Sequence, residues 1–183
     1  DKLPNNSWTL MTYPHMGERF AWILMNGDDM TMDSSQKGFG MGHNSLQAMH
    51  AVSNVHDYTA YDSESDDWLI SPELSGKAQT IEFWGNSEGP SPEDFYIYAS
   101  SENPDTASLR KNRIHFEKFA PCGWKKYSYD LPEGTKYFAI VFTSNLTGFA
   151  VDDVTYEGPA LTLTGYNVYR DGSLLAALPA ATT

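Results

Sequence analysis

Residues 95–100 read Phe-Tyr-Ile-Tyr-Ala-Ser, and this alternation of side chains indicates a β-strand. Phe95, Ile97 and Ala99 would share one face and the residues between them the other, because successive side chains of a strand point to opposite faces. Segments of similar character recur between clusters of Gly, Pro, Asn and Asp, which are typical of turns. About nine such strands predict an all-β chain folded as an antiparallel β-sandwich. The eight others are residues 8–13, 20–25, 68–71, 80–84, 114–119, 124–129, 137–143 and 149–156.

Two parts of the chain lie outside this pattern. Residues 45–52 are predicted as one short helix. Near the C-terminus, residues 161–169 and 174–178 flank an Arg-Asp-Gly turn and predict a β-hairpin. We interpret residues 1–158 as one domain. A lone hairpin is only marginally stable in water. Residues 159–183 are then either an added edge hairpin or the start of a further module.

The charge of the chain excludes one class of partner. Its 183 residues include 24 Asp and Glu against 12 Lys and Arg, which gives a formal charge of −12. No basic cluster exceeds residues 110–113, so nucleic acid is not expected as a partner, since phosphate contacts need a basic face. No apolar run approaches the roughly 20 residues of a membrane span, so we expect no membrane insertion.

Cysteine content and the first residues bear on the compartment. The single cysteine, Cys122, can form neither an internal disulfide nor a cysteine zinc site. The chain opens on Asp-Lys-Leu-Pro, which has neither the basic start nor the apolar stretch of a signal peptide. A cytoplasmic protein and a chain that begins after processing both fit these observations.

Ten of the acidic residues are concentrated in three short clusters. Lys and Arg are absent from residues 38–76, so the second cluster has no cationic partner nearby in the sequence. Such oxygen-rich loops suit Ca²⁺, which takes roughly six to eight oxygen ligands; a solvated acidic loop is the alternative for each cluster. No segment matches the EF-hand spacing. The clusters are Asp28, Asp29 and Asp33; Asp57, Asp62, Glu64, Asp66 and Asp67; and Asp152 and Asp153.

The third cluster lies inside an apolar, strand-like run, residues 149–156. A period of two puts Asp152 on the face of Ala150 and Val154, and Asp153 on the opposite face. One carboxylate would then point toward the core, where an unpaired charge is strongly unfavourable and requires a cation or hydrogen-bond donors. A bound calcium ion would meet that requirement.

Three short motifs carry a resemblance to a known family. Residues 66–72 read Asp-Asp-Trp-Leu-Ile-Ser-Pro, residues 129–137 read Tyr-Asp-Leu-Pro-Glu-Gly-Thr-Lys-Tyr, and residues 151–154 read Val-Asp-Asp-Val. In this order they resemble the D-x-aromatic-L-I-S/T-P, D-L-P-x-G-T-K-Y and L-D-D-I signatures of the cleaved adhesin domains, the haemagglutinin/adhesin modules attached to gingipain proteases. Trp8 resembles that family's opening motif, with one extra residue before it. The resemblance covers residues 3–157, and its motifs are shared loosely with MAM-like and other jelly-roll carbohydrate modules.

The resemblance implies a jelly-roll sandwich with structural Ca²⁺, secreted or displayed on the outer surface of a bacterium. It implies a non-catalytic adhesion module that binds a host extracellular protein or a glycan. Other modules would share the polypeptide, since residues 165–172 resemble the first strands of fibronectin-III-like modules. Two family elements are not reproduced: the D-x-D-G loop, for which residues 26–29 are the nearest acidic counterpart, and the F-E strand before the module. The number of calcium sites therefore stays open.

The resemblance also ranks the candidate metal ligands. Asp152, the first acid of the paired motif, comes first, and the two acids beside the Leu-Ile-Ser-Pro strand come next. The acids of residues 26–29 rank lower, because their loop departs from the family pattern. The predicted calcium ligands are Asp152, Asp66, Asp67, Asp153, Asp28 and Asp29.

A catalytic role has little support from motifs. The five histidines form no His-Glu-x-x-His, and no Gly-x-Ser-x-Gly elbow occurs. Cys122 is a conceivable nucleophile, but a lone packed cysteine is far commoner. A carboxylate pair for glycoside hydrolysis depends on a separation that only the fold sets. We therefore expect no enzyme.

Aromatic residues near loops are the candidates for ligand contact, since exposed rings stack on sugars or anchor protein partners. Trp22, Trp84 and Trp124 are interpreted as core residues instead, because sandwiches commonly bury Trp. The alternative to an adhesion module is a carbohydrate-binding module carried by a larger secreted glycoside hydrolase or peptidase, and an enzyme domain ranks third. The predicted ligand contacts are Trp68, Tyr58, Tyr61 and Phe39.

Overall fold

The computed structural model describes residues 8–12, 22–26, 43, 47–52, 67–87, 92–143, 148–160 and 165–179. Nearly all of the regular structure in these residues is β-strand, which confirms the predicted all-β class. The elements are β1 (Thr9–Thr12), β2 (Trp22–Asn26), β3 (Gln47–Val52), β4 (Asp67–Ile70), β5 (Gln79–Ser87), β6 (Glu93–Ser100), α1 (Thr106–Leu109), β7 (Arg113–Ala120), β8 (Lys125–Leu131), β9 (Tyr137–Phe142), β10 (Gly148–Thr155), β11 (Gly165–Arg170) and β12 (Ser173–Pro179).

Ten of these strands form two five-stranded sheets. The first sheet has the order β1-β4-β9-β6-β7, and the second has the order β2-β3-β10-β5-β8. Every strand pair in both sheets is antiparallel. Strands β7 and β8 follow each other in the chain but lie at the edges of different sheets. The predicted antiparallel β-sandwich is therefore confirmed.

The core between the sheets follows from the alternation seen in the sequence. Phe95, Ile97 and Ala99 of β6 are all buried, as the period of two predicts. Phe95 stacks on Phe149 of the second sheet, with ring centroids 4.9 Å apart. Burying one such ring stabilises the fold by about 1.5–3 kcal/mol relative to leaving it in water. Aromatic contacts between the two sheets thus fix their separation.

Strand β3 corrects the helix predicted for residues 45–52. Its residues 47–52 pair with both β2 and β10, so β3 is an inner strand of the second sheet. The segment Gln-Ala-Met-His-Ala-Val contains Gln, Ala and Met, which favour helices. Pairing with two neighbouring strands outweighs this local preference, because intrinsic propensities are small compared with tertiary contacts.

A second apolar cluster lies outside the main core, on the first sheet. Trp68 and Ile70 of β4 are fully buried and contact side chains of β9. The one-turn helix α1 contributes Leu109 to this cluster. Asp105 caps the helix, because its carboxylate accepts a hydrogen bond from the backbone N–H of Ser108 at 2.7 Å. The first sheet is therefore apolar on both faces at this point.

The predicted C-terminal hairpin is present as β11 and β12, which pair only with each other among the described strands. Its turn contains Asp171 and Gly172, both at positive φ, as a tight turn requires. None of the described helices is long and apolar enough to span a membrane.

Candidate functional site

A row of three side chains crosses the outer face of the second sheet. Trp84 of β5 lies opposite Asp152 of β10 on one side and opposite Lys126 of β8 on the other. Directly opposed residues of neighbouring strands share a face. Trp84 points outward because its neighbour Phe83 is buried in the core and the strand alternates. The sheet therefore presents an indole between an acid and a base.

Trp124 is brought to the same place by the turn between β7 and β8. Gly123 in this turn has a φ of +93°, a conformation that favours glycine. Its backbone N–H donates a hydrogen bond to the Oδ1 of Asn86, two residues beyond Trp84, at 2.8 Å. This bond fastens the turn to β5 and places Trp124 beside the row. Both Trp84 and Trp124 are half-buried, which corrects their interpretation as core residues; Trp22 is buried as predicted.

His43 lies on top of this row. Its imidazole stacks on the indole of Trp84, with centroids 3.6 Å apart and planes 14° from parallel. Its edge faces Trp124, with centroids 6.0 Å apart. The backbone N–H of His43 donates to the Oδ2 of Asp152 at 2.8 Å, and its Nδ1 lies 3.1 Å from the Oδ2 of Asp153. Two rings and two carboxylates thus hold one residue that is distant in sequence.

Strand β10 brings both carboxylates to His43 by breaking its alternation. The register against β5 shifts between Asp152 and Thr155, and Asp153 has a φ of +50°. This bulge turns Asp153 outward and lets Val154 pack against the core instead. The prediction that one acid points toward the core, with the two on opposite faces, is therefore wrong. The Oδ1 of Asp152 also accepts from the backbone N–H of Asp153 at 2.8 Å, so both of its oxygens have donors.

Charged side chains around His43 and Trp84 are arranged in ion pairs. Lys126 forms an ion pair with Glu82 at 3.0 Å, one row along the sheet. At the edge formed by β7 and β8, Glu117 contacts Lys125 at 3.0 Å and His115 at 3.1 Å. Burial raises the pKa of Glu117, but the hydrogen bonds from Lys125 and His115 outweigh it, and its pKa falls below the usual value.

Two tyrosines lie beside this edge. Burial raises the pKa of Tyr127 and of Tyr129, and the charge of Glu117 raises both further. Tyr127 is almost completely buried, and its hydroxyl makes no hydrogen bond with a described residue. Both phenols are therefore neutral near physiological pH and cannot supply a base.

The residues around His43 offer several groups that can bind a ligand. Asp152 and Asp153 present carboxylate oxygens, and the indoles of Trp84 and Trp124 present ring faces and N–H donors. Among the described residues, no serine, threonine or cysteine side chain hydrogen-bonds to His43. A His–Asp pair without a nucleophile lacks the acting member of a hydrolytic triad.

The predicted metal ligands are only partly brought together. Asp152 and Asp153 converge on His43, whereas Asp67 lies in the first sheet, at the start of β4. Asp67 is 1% exposed, and its backbone carbonyl accepts from the indole N–H of Trp22 at 3.0 Å. Within the described part of the chain, no three His, Cys, Asp or Glu side chains are grouped as a metal site requires. Asp66, Asp28 and Asp29 lie outside the described residues.

The predicted ligand contacts are not in this cluster. Trp68 is fully buried, stacked on Tyr98 at 5.2 Å with the guanidinium of Arg110 4.8 Å from its ring, so it offers no open face. Tyr58, Tyr61 and Phe39 lie outside the described residues. Sequence reasoning missed His43 as a partner of the acids, because only the fold brings residues 109 positions apart into contact.

Comparison with known proteins identifies the fold. No protein-family model and no curated protein matches the chain. Among solved structures, it is similar to the K1 cleaved adhesin domain of Lys-gingipain from Porphyromonas gingivalis W83, at 22% identity and a TM-score of 0.62 over 86% of this chain and 94% of that one. The chain has the fold of the cleaved adhesin domains. The resemblance stated from its motifs is confirmed at that level.

Two further structures extend the comparison. The K2 cleaved adhesin domain of Lys-gingipain aligns at 16% identity and a TM-score of 0.60, over 81% of this chain and 88% of that one. A structure described as showing promiscuous specificity of carbohydrate-binding modules from the β-sandwich superfamily aligns at 10% identity and a TM-score of 0.50, over 84% of this chain and 58% of that one. At these identities the likeness concerns the fold alone.

Proposed function

We propose that this chain is a non-catalytic extracellular binding module, and that it binds a glycan through the His43–Trp84 cluster, defined as His43, Trp84, Trp124, Asp152 and Asp153. The observation that carries the proposal is the convergence of two half-buried indoles and two carboxylates on one face of a sheet. The fold shared with adhesin domains and with a carbohydrate-binding module supports it.

The chemistry of the cluster suits a neutral sugar. Carboxylate oxygens accept hydrogen bonds from sugar hydroxyls, and the apolar face of a sugar ring packs on an indole such as that of Trp124, since His43 already covers one face of Trp84. The side chain of Asp153 is 45% exposed, so its oxygens are accessible to a ligand. Among the described residues at this place, Lys126 is paired with Glu82, and carboxylates outnumber cations. An acidic glycan would be repelled there.

The non-catalytic part of the proposal rests on the same contacts. The described groups around His43 include acceptors and rings but no nucleophile. An extracellular or cell-surface location, and a place beside other modules of one polypeptide, are supported by the adhesin fold. A host extracellular protein is the other class of partner that this fold supports.

Structural calcium belongs to the proposal as well, with Asp67 as the most deeply buried of the predicted ligands that the structure describes. Asp67 is a buried carboxylate, and a buried charge must be balanced by donors or by a cation. If calcium binds, Asp67 would hold it through hard carboxylate oxygens, which Ca²⁺ prefers.

A glycan array tests the proposal. The wild-type chain is expected to show saturable binding to neutral glycans, and a Trp84→Ala variant that remains folded is expected to lose it. If wild type binds no glycan on the array, the glycan part of the proposal fails.

A second candidate is a carbohydrate-binding module carried by a larger secreted glycoside hydrolase or peptidase. Trp124 favours it, since its half-buried indole offers a ring face to a sugar, whereas His43 already covers one face of Trp84. Binding confined to plant or bacterial wall polysaccharides would favour this candidate over the adhesion module, whereas binding to animal glycans would favour adhesion.

A further inference from the structure

Strand β7, at the open edge of the first sheet, carries a surface of different character. We call it the β7 ridge, defined as Arg113, Phe116, Lys118 and Phe119. Phe116 is 36% exposed and Phe119 is 64% exposed, which makes them two of the large apolar side chains that the described residues leave in contact with water. Large apolar side chains that are exposed near one another are typical of binding surfaces.

The backbone at Phe119 is held in a costly conformation. Its φ is +61°, in the left-handed region that a bulky side chain rarely adopts. The backbone N–H of Phe119 donates to the Oδ1 of Asp94 at 2.7 Å, which fixes this conformation. Strain retained at an exposed aromatic residue is typical of functional positions. The ring of Phe119 stays exposed, so packing of the ring does not explain the strained backbone.

The two cations of the β7 ridge lie beside aromatic rings. The Nζ of Lys118 lies 4.8 Å from the centroid of the Phe119 ring. The guanidinium of Arg113 lies 5.7 Å from the centroid of Tyr96, and Tyr96 stacks on Phe116 at 4.4 Å. Neither Arg113 nor Lys118 forms an ion pair with a described residue. Their charges are therefore available to a ligand.

The ridge is also where the cations of an acidic chain are concentrated. Residues 110–126 contain six of the 12 basic residues and only one acid, Glu117. That acid is bound to Lys125 and His115 rather than to the ridge. Of the six basic residues, Lys111, Lys125 and Lys126 are paired with glutamates. Arg113 and Lys118 are therefore the cations that attract an anionic ligand to the ridge, in a chain whose formal charge is −12.

We propose that the β7 ridge binds an acidic polysaccharide, on a surface separate from the His43–Trp84 cluster. Phe116 and Phe119 are three residues apart, about 10 Å along an extended strand. This spacing is close to two sugar units, so every second unit can place an apolar face on a ring and a carboxylate or sulfate on the adjoining cation. Along β7 the cations and the exposed rings alternate in the order Arg113, Phe116, Lys118 and Phe119, which fits the spacing of the sugar units.

An acidic peptide is the competing ligand, but the geometry of β7 does not favour its binding. A peptide would add to the open edge of β7 by backbone pairing. The register of β7 against β6 shifts twice, and the left-handed residue at Phe119 interrupts the ladder further. Bulges and cations at an edge are devices that prevent strand addition. The side chains of the ridge, not its backbone, are therefore the binding groups.

The test uses heparin and polygalacturonate as sulfated and carboxylated probes, with poly-glutamate as the acidic peptide, in titrations at several salt concentrations. Wild type is expected to bind at least one of the polysaccharides, with affinity that falls as salt rises. The double variant Lys118→Gln, Arg113→Gln is expected to lose about tenfold in affinity. Phe119→Gly removes the ring while relieving the backbone strain, so it is expected to lose affinity with no loss of melting temperature.

Lys77→Gln and Lys136→Gln are the matched controls, because both lysines are exposed on other parts of the chain and paired with glutamates. Both are expected to bind like wild type. Three results would overturn the proposal: no binding to either polysaccharide at low salt, equal losses in the control variants, or poly-glutamate bound as tightly as the polysaccharides. A Trp84→Ala variant that still binds the acidic probe separates this site from the neutral glycan site.

Discussion

The imidazole of His43 lies flat on the indole of Trp84, with ring centroids 3.6 Å apart and planes 14° from parallel. The two residues are joined by no strand pairing; among the described residues, the carboxylates of Asp152 and Asp153 and the ring of Trp124 also contact the histidine. His43 therefore links the segment that precedes β3 to the outer face of the second sheet. The stack both shapes the proposed glycan site and stabilises the fold around it.

Substitution of Asp152 tests this link. Asp152→Asn leaves one acceptor oxygen for two backbone N–H donors, those of His43 and Asp153, so one donor loses its partner. We expect the free energy of unfolding to fall by about 1–2 kcal/mol in urea denaturation. Asp171→Asn, at an exposed turn, is the matched control and is expected to change stability little. Equal effects from the two variants would contradict the role given to Asp152.

Gly85 tests the packing beneath the site. A β-carbon at this position would lie 2.7 Å from the Cζ of Phe149 and 2.9 Å from the Cε2 of Tyr127, closer than atoms can approach. Gly85→Ala is expected to lower the free energy of unfolding by about 1–3 kcal/mol, because the core must shift to admit the methyl group. Ser128→Ala, exposed on the same sheet, is expected to be neutral. A neutral Gly85→Ala would show that the rings relax freely.

The depressed pKa of Glu117 predicts that the fold loses stability in acid. Its folded-state pKa lies below the ordinary value of 4.5, because the hydrogen bonds from Lys125 and His115 favour the charged form. A carboxyl whose folded pKa is depressed stabilises the fold fully above its unfolded pKa and loses that contribution as the pH falls through the folded pKa. We expect stability to decline below about pH 4.5, and to decline less steeply in Glu117→Gln. Identical acid profiles would contradict this.

Calcium removal tests the metal part of the proposal. Excess EDTA is expected to lower the melting temperature of wild type, since a ligand that binds only the folded state stabilises it. Asp67→Asn is expected to abolish that difference, because it removes a charged oxygen from the buried site. Glu133→Gln, at an exposed turn, should keep it. A melting temperature that EDTA leaves unchanged would contradict the proposed calcium site.

The sequence predicted the strands better than the site. The alternation of residues 95–100 is a local property, and the strand over Glu93–Ser100 follows it closely. Residues 47–52 were predicted as helical because Ala, Gln and Met favour helices, and the pairing with β2 and β10 that makes them a strand is not local. Local patterns thus succeed where tertiary pairing agrees with them.

The site depends on two features that a sequence pattern does not show. A strict period of two separates Asp152 from Asp153, and the bulge at Asp153 brings both to one residue. Trp84 gave no sign of being half-exposed, because core and surface indoles look alike in sequence. The two acids were predicted as calcium ligands, and the residue that both contact in this structure is His43.

The most direct test of the central claim is a calorimetric titration of wild type and Trp84→Ala with a neutral glycan selected on the array. Trp84 is the residue on which His43 stacks, and it lies in one row with Asp152. We expect Trp84→Ala to weaken binding at least tenfold, with Ser128→Ala on the same face binding like wild type. Equal affinity of wild type and Trp84→Ala would contradict the claim that this cluster is the glycan site.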